Sequence, residues 1–393
     1  MIVFGEHDEN TLEQFHDVRS RAKDAALMAD GHLGYVMPIG GVAAYEDRVS
    51  VVGVGFDIAC GNAAIKTDLR LDDMPDVAGL ADELFDTLAF GIGQTNQADD
   101  APADHDLFAD GRWDMVPKKH RNGLREKARV QLGTIGGGNH YVDIFEDEDG
   151  WLWVGVHFGS RGFGHTVASN FLALSQGDPW GSRGKEVEVL LHVRNPIGHD
   201  YWHLMELAGR YAYAGREWVA RKVVGIMGGS ECELIHNHHN FAWREQHNGR
   251  EVIVIRKGAT PAWPGQLGFI GGSMGDDAVI VKGAEGLEGQ DEYRQRQAMY
   301  STVHGAGRVM SRTEAKGKWR KGQQRTEGRI GHGEMTDWID GRGVTLRGGD
   351  LDEAPQAYRR LPDVLSAQGT TIEILHTLRP VVVCMAPGGN RRR

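Results

Sequence analysis

Asp57 and Cys60, separated only by Ile58 and Ala59, lie in the stretch VGVGFDIACGN that runs from Val52 to Asn62. A hard carboxylate and a soft thiolate this close, after a valine-rich run, could hold a transition metal. The same residues also fit a capped turn around a buried cysteine. Three histidines bear on the choice. His140 follows the glycine loop QLGTIGGGN, His157 ends the run WLWVGVH, and His239 sits in IHNHHN, so each falls at a strand end or a glycine turn. With Asp57 and Cys60 they make one possible cluster, in which the cysteine could bridge two divalent ions. Residue types alone leave zinc open as much as any other transition metal. Paired cations suit phosphoryl chemistry because they neutralise charge on both reacting oxygens. Backbone amides of GTIGGGN and GGSMG could add phosphate-binding nests. Neither loop matches the P-loop pattern, and no G-x-G-x-x-G opens a βαβ unit.

The elements that must position these residues mix helices and strands. The spacing of Leu12, Phe15, Val18, Ala22, Ala25 and Ala26 predicts a helix from Leu12 to Met28, closed by Asp30 and Gly31. Val49 to Gly55 reads as a strand leading into the Asp57/Cys60 turn. An acidic helix is expected over about Asp72 to Phe90, and a second helix with outward basic residues over Arg121 to Val130. Alternation from Tyr141 to Phe145, the D-E-D-G turn and the run from Trp151 to His157 predict a hairpin that brings His140 and His157 together. His203 to Val223 reads as a helix whose apolar stripe includes Leu204, Leu207, Ala208, Tyr211, Ala212 and Trp218. CELIHNHHNFAW and Glu251 to Ile255 read as strands, LGFIGGSMGDDAVIVKG as strand, glycine turn and strand, and TIEIL as a further strand. No linker divides the chain, which predicts one domain over residues 1–386 and a mobile basic tail over 387–393.

Composition narrows the function classes. The chain has 393 residues, 40% hydrophobic and 25% charged, as in ordinary globular proteins, but 55 glycines, about twice the usual share. They show no Gly-X-Y period and gather beside titratable residues, which points to tight loops around a site. The N-terminus lacks a signal peptide's basic start and apolar core, and no run approaches the ~20 apolar residues that span a bilayer. Cys60, Cys232 and Cys384 are too few and scattered for a disulfide scaffold. A cytoplasmic protein with no membrane association is expected. A net charge of −11, from 44 basic and 55 acidic residues, argues against broad non-specific nucleic-acid binding. Two local basic clusters, Lys118 to Arg129 and Lys316 to Arg325, fit solvated faces or a nucleic-acid track.

In the blocks HLGYVMPIGGVAA, VGVGFDIACG, LGTIGGGNHYVDI, VHFGSRGFGH, HHN, RKGAT, GSMG, VHGAGRVMSR, DEAPQAYRR and HTLRPVV, and in their order, the chain resembles the RtcB family of RNA ligases. The resemblance implies an α+β fold around a central β core flanked by helices, distinct from Rossmann sheets and from the fold of ATP-dependent ligases. It implies two Mn²⁺ ions bridged by Cys60, with Asp57 and His140 on one and His157 and His239 on the other. It places the guanylylated nucleophile on His304. Asn139 and Asn240 match residues that hold phosphate oxygens. Asp143, Ser273, Met274, Gly275, Gly305, Ala306 and Gly307 fall in the GTP site. Arg161 and Arg308 are expected to contact phosphate, where a guanidinium fork fits, with a structural ion pair the alternative for Arg161. The implied reaction joins RNA ending in a 2′,3′-cyclic phosphate or 3′-phosphate to RNA beginning with a 5′-hydroxyl. A monomer is expected, since the site residues all come from one chain; an activating protein partner is left open.

Departures from the family pattern gather around the base rather than the metals. Asp143 stands where the family has a glutamate, Met385 replaces a lysine, Ala278 a serine, and Ile255 a histidine. A hydrogen bond to a buried polar group contributes roughly 0.5–1.5 kcal/mol, so these changes predict a branch with relaxed or altered nucleotide preference. Two further readings stay in view: a metal-dependent nucleotidyltransferase or phosphoesterase that does not seal RNA, and an RNA-binding protein without catalysis.

Overall fold

The computed structural model describes residues 1–320 and 323–388. It is a mixed helix and sheet structure built on two principal sheets. One has eight strands, running Leu267–Ile270, Ala278–Gly283, Ile372–Pro387, Tyr141–Glu146, Trp151–Phe158, Gly61–Arg70 and Glu231–His238, with Thr345–Gly349 also paired to Ile372–Pro387. All its pairings are antiparallel except that of Thr345–Gly349. The other has five, in the order Ile2–Val3, Asp24–His32, Ile39–Tyr45, Arg250–Lys257 and Asn240–His247.

The predicted hairpin forms as expected, with Tyr141 opposite His157. On the far side of the same strand His157 faces Asn62, which in turn faces Asn237. This register aligns four neighbouring strand ends, so that Cys60, His140, His157 and His239 emerge along one edge of the sheet. The long helix Pro196–Met227 packs behind these strands. Pro196 opens it, where a missing N–H costs nothing, and Gly228 ends it at a φ of 75°. Leu204, Leu207 and Tyr211 on its inner face are almost completely buried, each contributing roughly 2 kcal/mol. Trp218, expected in that stripe, is only partly buried; its indole N–H reaches the Asp100 carbonyl at 3.0 Å, and the buried face continues through Arg216 and Val219.

Two local expectations are corrected. The first helix spans Glu9–Arg21, not Leu12 to Met28. Ala25 to Met28 belong instead to a strand, with Ala25 opposite Ala43 and Ala26 opposite Val42. Small apolar residues satisfy a helical stripe and a doubly buried strand equally well, and tertiary pairing decides. Val49 to Gly55 is not one strand. Arg48–Ser50 is extended, and Val51–Val54 forms a helical turn capped by Ser50, whose Oγ accepts the Gly53 amide at 2.8 Å. Burial of all three valines overrides their strand preference.

Of the expected tail, residues 389–393 lie outside the described residues, whereas Pro387 still pairs with Gly349 in the last strand. Lys321 of the second basic cluster is also outside them. Among the described residues no helix is long and apolar enough to cross a membrane.

Candidate metal centre and nucleophile

Cys60 stands between two sets of candidate metal ligands. Its Sγ lies 3.6 Å from Nε2 of His140 and 3.6 Å from Nε2 of His157. Asp57 Oδ2 is 3.0 Å from His140 Nε2. The donor atoms form two groups, Asp57/Cys60/His140 and Cys60/His157/His239, each within 4.8 Å and sharing the thiol. Sulfur, imidazole and carboxylate in one buried cluster suit a transition cation.

The backbone fixes this geometry. The Cys60 carbonyl accepts the amides of His239 at 2.8 Å and Asn240 at 3.2 Å, tying the turn to the neighbouring strand crossing. Gly159 has no side chain because a Cβ there would collide with the Asp57 carboxylate. Electrostatics prepare the donors. Burial opposes ionisation of Asp57, but the hydrogen bond to His140, with the Arg161 charge nearby, outweighs it and holds the carboxyl well below its usual range. Burial pushes His140, His157 and His239 below the ordinary imidazole value, leaving neutral rings with lone pairs. Burial, and then the Asp57 charge, push the Cys60 thiol up. A bound cation reverses that preference by stabilising the thiolate.

Behind the ligands stand two residues that the sequence analysis did not single out. Asn62 Oδ1 lies 2.5 Å from His157 Nδ1, and its amide donates to the Phe269 carbonyl at 2.8 Å. This holds Nδ1 as the protonated atom and turns the Nε2 lone pair toward Cys60. Arg216 is fully buried. It donates to the Ala59 carbonyl beside Cys60, to the Phe158 carbonyl beside His157, and to the rings of His236 and His238 at 2.8 and 2.9 Å. One guanidinium thus fastens the long helix to three strand ends. Its signal in the sequence was a lone cation inside an apolar helical stripe.

His304 follows the short strand Ser301–Val303. Its Nδ1 lies 2.6 Å from Oδ2 of the fully buried Asp30, an oxygen that also accepts the amides of His304 and Gly305 at 3.0 and 3.3 Å. With Nδ1 donating, Nε2 keeps its lone pair. The ring centroids of His304 and His239 are 4.9 Å apart, so the imidazole stands beside the ligand cluster. Asp30 had looked like a helix terminator, and only its place at a strand end gives it this role.

A cavity of about 840 Å³ contains these groups. Its walls include Asn139, Asp143, Asn240, Ser273, Met274 and the run Gly305, Ala306, Gly307 and Arg308. Three of these side chains are engaged within the protein. Asn240 Oδ1 accepts the Gly258 amide at 2.7 Å, and Ser273 donates to Asp276 at 2.8 Å. Arg308 donates to the carbonyls of Met310 and Asp352, to Glu353 and to Tyr358. Gly275 is not on the wall, and a Cβ there would meet Ile339 at 2.8 Å. Arg161 also stands off the wall, at a φ of 53°, with NH1 3.3 Å from His140 Nδ1. Arg312, from the same VHGAGRVMSR block as His304, does line the cavity and had not been selected. Of the four departures from the family pattern, Asp143 and Met385 are on the wall; Ala278 and Ile255 do not line it and are buried in apolar clusters. Asp143 Oδ1 is buried without a hydrogen-bond partner among the described residues, and burial pushes its carboxyl well up.

Comparison with known proteins matches the chain to a family. The family described as tRNA-splicing ligase RtcB matches residues 12–386. The RNA-splicing ligase RtcB of Escherichia coli K12 is 30% identical, with 92% of this chain and 89% of that protein covered. The tRNA-splicing ligase RtcB of Thermococcus kodakarensis is 30% identical over 95% of this chain and 91% of its own. That of Archaeoglobus fulgidus is 30% identical, covering 91% and 86%. A shared thiol between two ligand groups, an imidazole anchored beside them and a match over nearly the whole length make one conclusion: the chain belongs to the RtcB family of tRNA-splicing ligases.

Proposed function

We propose that this protein is an RNA ligase that joins 3′-phosphate or 2′,3′-cyclic-phosphate ends to 5′-hydroxyl ends in tRNA splicing or RNA repair, using GTP and Mn²⁺. The observation that carries the reading is His304 held on Asp30 through Nδ1, with its ring beside His239 of the ligand cluster. Nε2 of His304 attacks the α-phosphorus of GTP, and pyrophosphate leaves. The RNA 3′-phosphate then takes the GMP from the phosphoramidate and frees the histidine. The 5′-hydroxyl attacks the activated 3′-phosphorus and GMP departs. Activation is necessary because a phosphate monoester has no adequate leaving group.

Asp57 and His140 with Cys60 would hold one divalent cation, and His157 and His239 with Cys60 a second. When bound, the pair supplies charge neutralisation on both sides of the reacting phosphorus. Asn139 and Asn240 would orient phosphate oxygens, with the glycine backbone from Gly305 to Gly307 allowing close approach; all line the cavity. Asp30 keeps the nucleophilic nitrogen free of a proton. Cavity-lining residues from His32 to Met385 belong to one chain, which supports action as a monomer and one catalytic domain over residues 1–386.

The experiment is incubation with α-labelled GTP and Mn²⁺, followed by an RNA-joining assay. Label that is stable to base, labile to acid and absent from His304→Ala supports the reading; sealing of RNA separates a ligase from a nucleotidyltransferase or phosphoesterase. A protein that binds RNA but takes no label refutes catalysis. A second reading, altered base preference, rests on Asp143, whose Oδ1 is buried without a hydrogen-bond partner among the described residues, and on Met385 in the same cavity wall. Strict labelling by GTP at ordinary affinity, with no labelling by other nucleoside triphosphates, would sink it.

A further inference from the structure

The cavity has a rim that the ligand cluster and nucleotide residues do not use. Tyr35, Phe56 and His165 form a run of rings along its wall. Tyr35 and Phe56 meet edge to face at a centroid distance of 6.2 Å, and Phe56 and His165 lie 5.7 Å apart, tilted. Phe56 directly precedes Asp57, so the run begins at the ligand cluster. Tyr35 ends it in solvent, 67% exposed, the most exposed tyrosine among the large exposed apolar side chains. Its loop is fastened from beneath: the Gln14 amide donates to the carbonyls of Gly34 and Tyr35 at 3.1 and 2.9 Å, and Gln14 Oε1 accepts the Gly34 amide at 2.9 Å. The backbone therefore presents the ring outward from a fixed position.

Cations flank the run. Arg183 lines the same cavity and is exposed, with no carboxylate partner among the described residues. Lys127, on the helix Lys118–Gln131, reaches the helix that carries His165, with Nζ 3.4 Å from Thr166 Oγ1, and it too lacks a carboxylate partner among the described residues. By contrast Arg121 and Arg129 of the same helix are taken up by Asp114 and Asp104. Tyr35 and His165 are exposed, and the half-buried Phe56 packs between them and the core, with Lys257 Nζ 5.9 Å from the Tyr35 ring centre. These rings, with the cations Arg183 and Lys127 nearby, suit single-stranded nucleic acid, whose bases stack on rings and whose phosphates pair with cations.

We propose that Tyr35, Phe56 and His165 form a stacking platform for unpaired bases next to the RNA end being joined, with Arg183 and Lys127 on the adjoining backbone phosphates. The proposal rests on the RNA-ligase reading and names where that substrate lies.

The test is binding of a fluorescent single-stranded RNA, measured by anisotropy at two salt concentrations, for wild type, Tyr35→Ala, Tyr35→Phe and Lys127→Glu. A second RNA series carries one abasic nucleotide stepped inward from the end. Tyr35→Ala should weaken binding about tenfold, with Tyr35→Phe restoring it. One abasic position should weaken wild type similarly yet have no further effect on Tyr35→Ala. Lys127→Glu should flatten the salt dependence. Tyr293→Ala, which removes an exposed ring that does not line the cavity, should bind as wild type; equal weakening there would overturn the proposal. So would unchanged binding by Tyr35→Ala, or displacement of this face by an acidic peptide and not by RNA. In those cases sealing by the wild-type enzyme would leave the ligase reading standing, whereas a wild type that neither binds nor joins RNA would remove both.

Discussion

Asp30 Oδ2 lies 2.6 Å from His304 Nδ1 although 274 residues separate them in the chain. The contact joins the end of one strand in the five-stranded sheet to the loop that carries the proposed nucleophile. Asp30→Asn replaces an acceptor by a group able to donate to Nδ1, which transfers the ring proton to Nε2 and blocks attack. Single-turnover labelling from GTP should slow by roughly 10²–10⁴, as expected when an imidazole is held in the wrong tautomer. A rate within twofold of wild type would show that the tautomer is set elsewhere.

Arg216 touches no substrate, so its effect should appear first in cation binding. Arg216→Gln leaves the Ala59 and Phe158 carbonyls short of donors and releases the His238 ring next to His239. Mn²⁺ affinity measured by calorimetry should fall about 10–100-fold, the usual consequence of losing an orienting partner. Stability should fall by roughly 1–3 kcal/mol for each buried acceptor left unmet, read by urea denaturation.

Gly136 permits Arg161 to lie where it does. Its φ is 91°, and a Cβ there would fall on the Arg161 guanidinium. Gly136→Ala therefore combines backbone strain with displacement of a cation beside His140. Its cost should be about 1–3 kcal/mol in denaturant unfolding, together with loss of RNA joining. Gly93→Ala, also at positive φ but with open space around it, should retain joining and show only the backbone component.

Lys257 gives a pH test with a definite sign. It is buried with its Nζ 2.7 Å from the Val52 carbonyl, and burial pulls its ammonium from 10.5 down to about 8. Below pH 8 both folded and unfolded states carry the charge, and the folded state bears its full desolvation cost. Between pH 8 and 10.5 the unfolded chain holds the proton and the folded one does not, so stability contributed by this site rises with pH. Lys257→Met should therefore stabilise at pH 7, by at most about 3 kcal/mol before the lost Val52 contact is counted. The gain should shrink by pH 9.5. A pH-independent difference in melting would contradict the assignment.

Residue types and strand ends made the candidate cluster legible as one possibility, and the family resemblance assigned its members. Asp57 with Cys60, and the histidines at strand ends, carry their meaning in a few neighbouring residues, and the hairpin between Tyr141 and Phe158 follows from alternation and a turn. Asp30 and Arg216 were not legible, since their roles depend on partners hundreds or tens of residues away. The strand from Asp24 to His32 was hidden for a different reason: alanines fill a helical stripe and a buried strand alike, and only pairing with Ile39–Tyr45 decides. Arg308 lines the cavity, and what its residue type could not show is that the fold engages its donors with Glu353, Tyr358 and two carbonyls.

Because Cys60, His140, His157 and His239 rise from adjacent strands, their separations are set by the interstrand spacing, about 4.8 Å, and not by the length of any loop. Changing that ruler would require slipping a strand by one residue, which would turn every side chain along it to the opposite face. A side chain on the cavity wall such as Met385 is under no such constraint, so it can be exchanged without moving the inner scaffold.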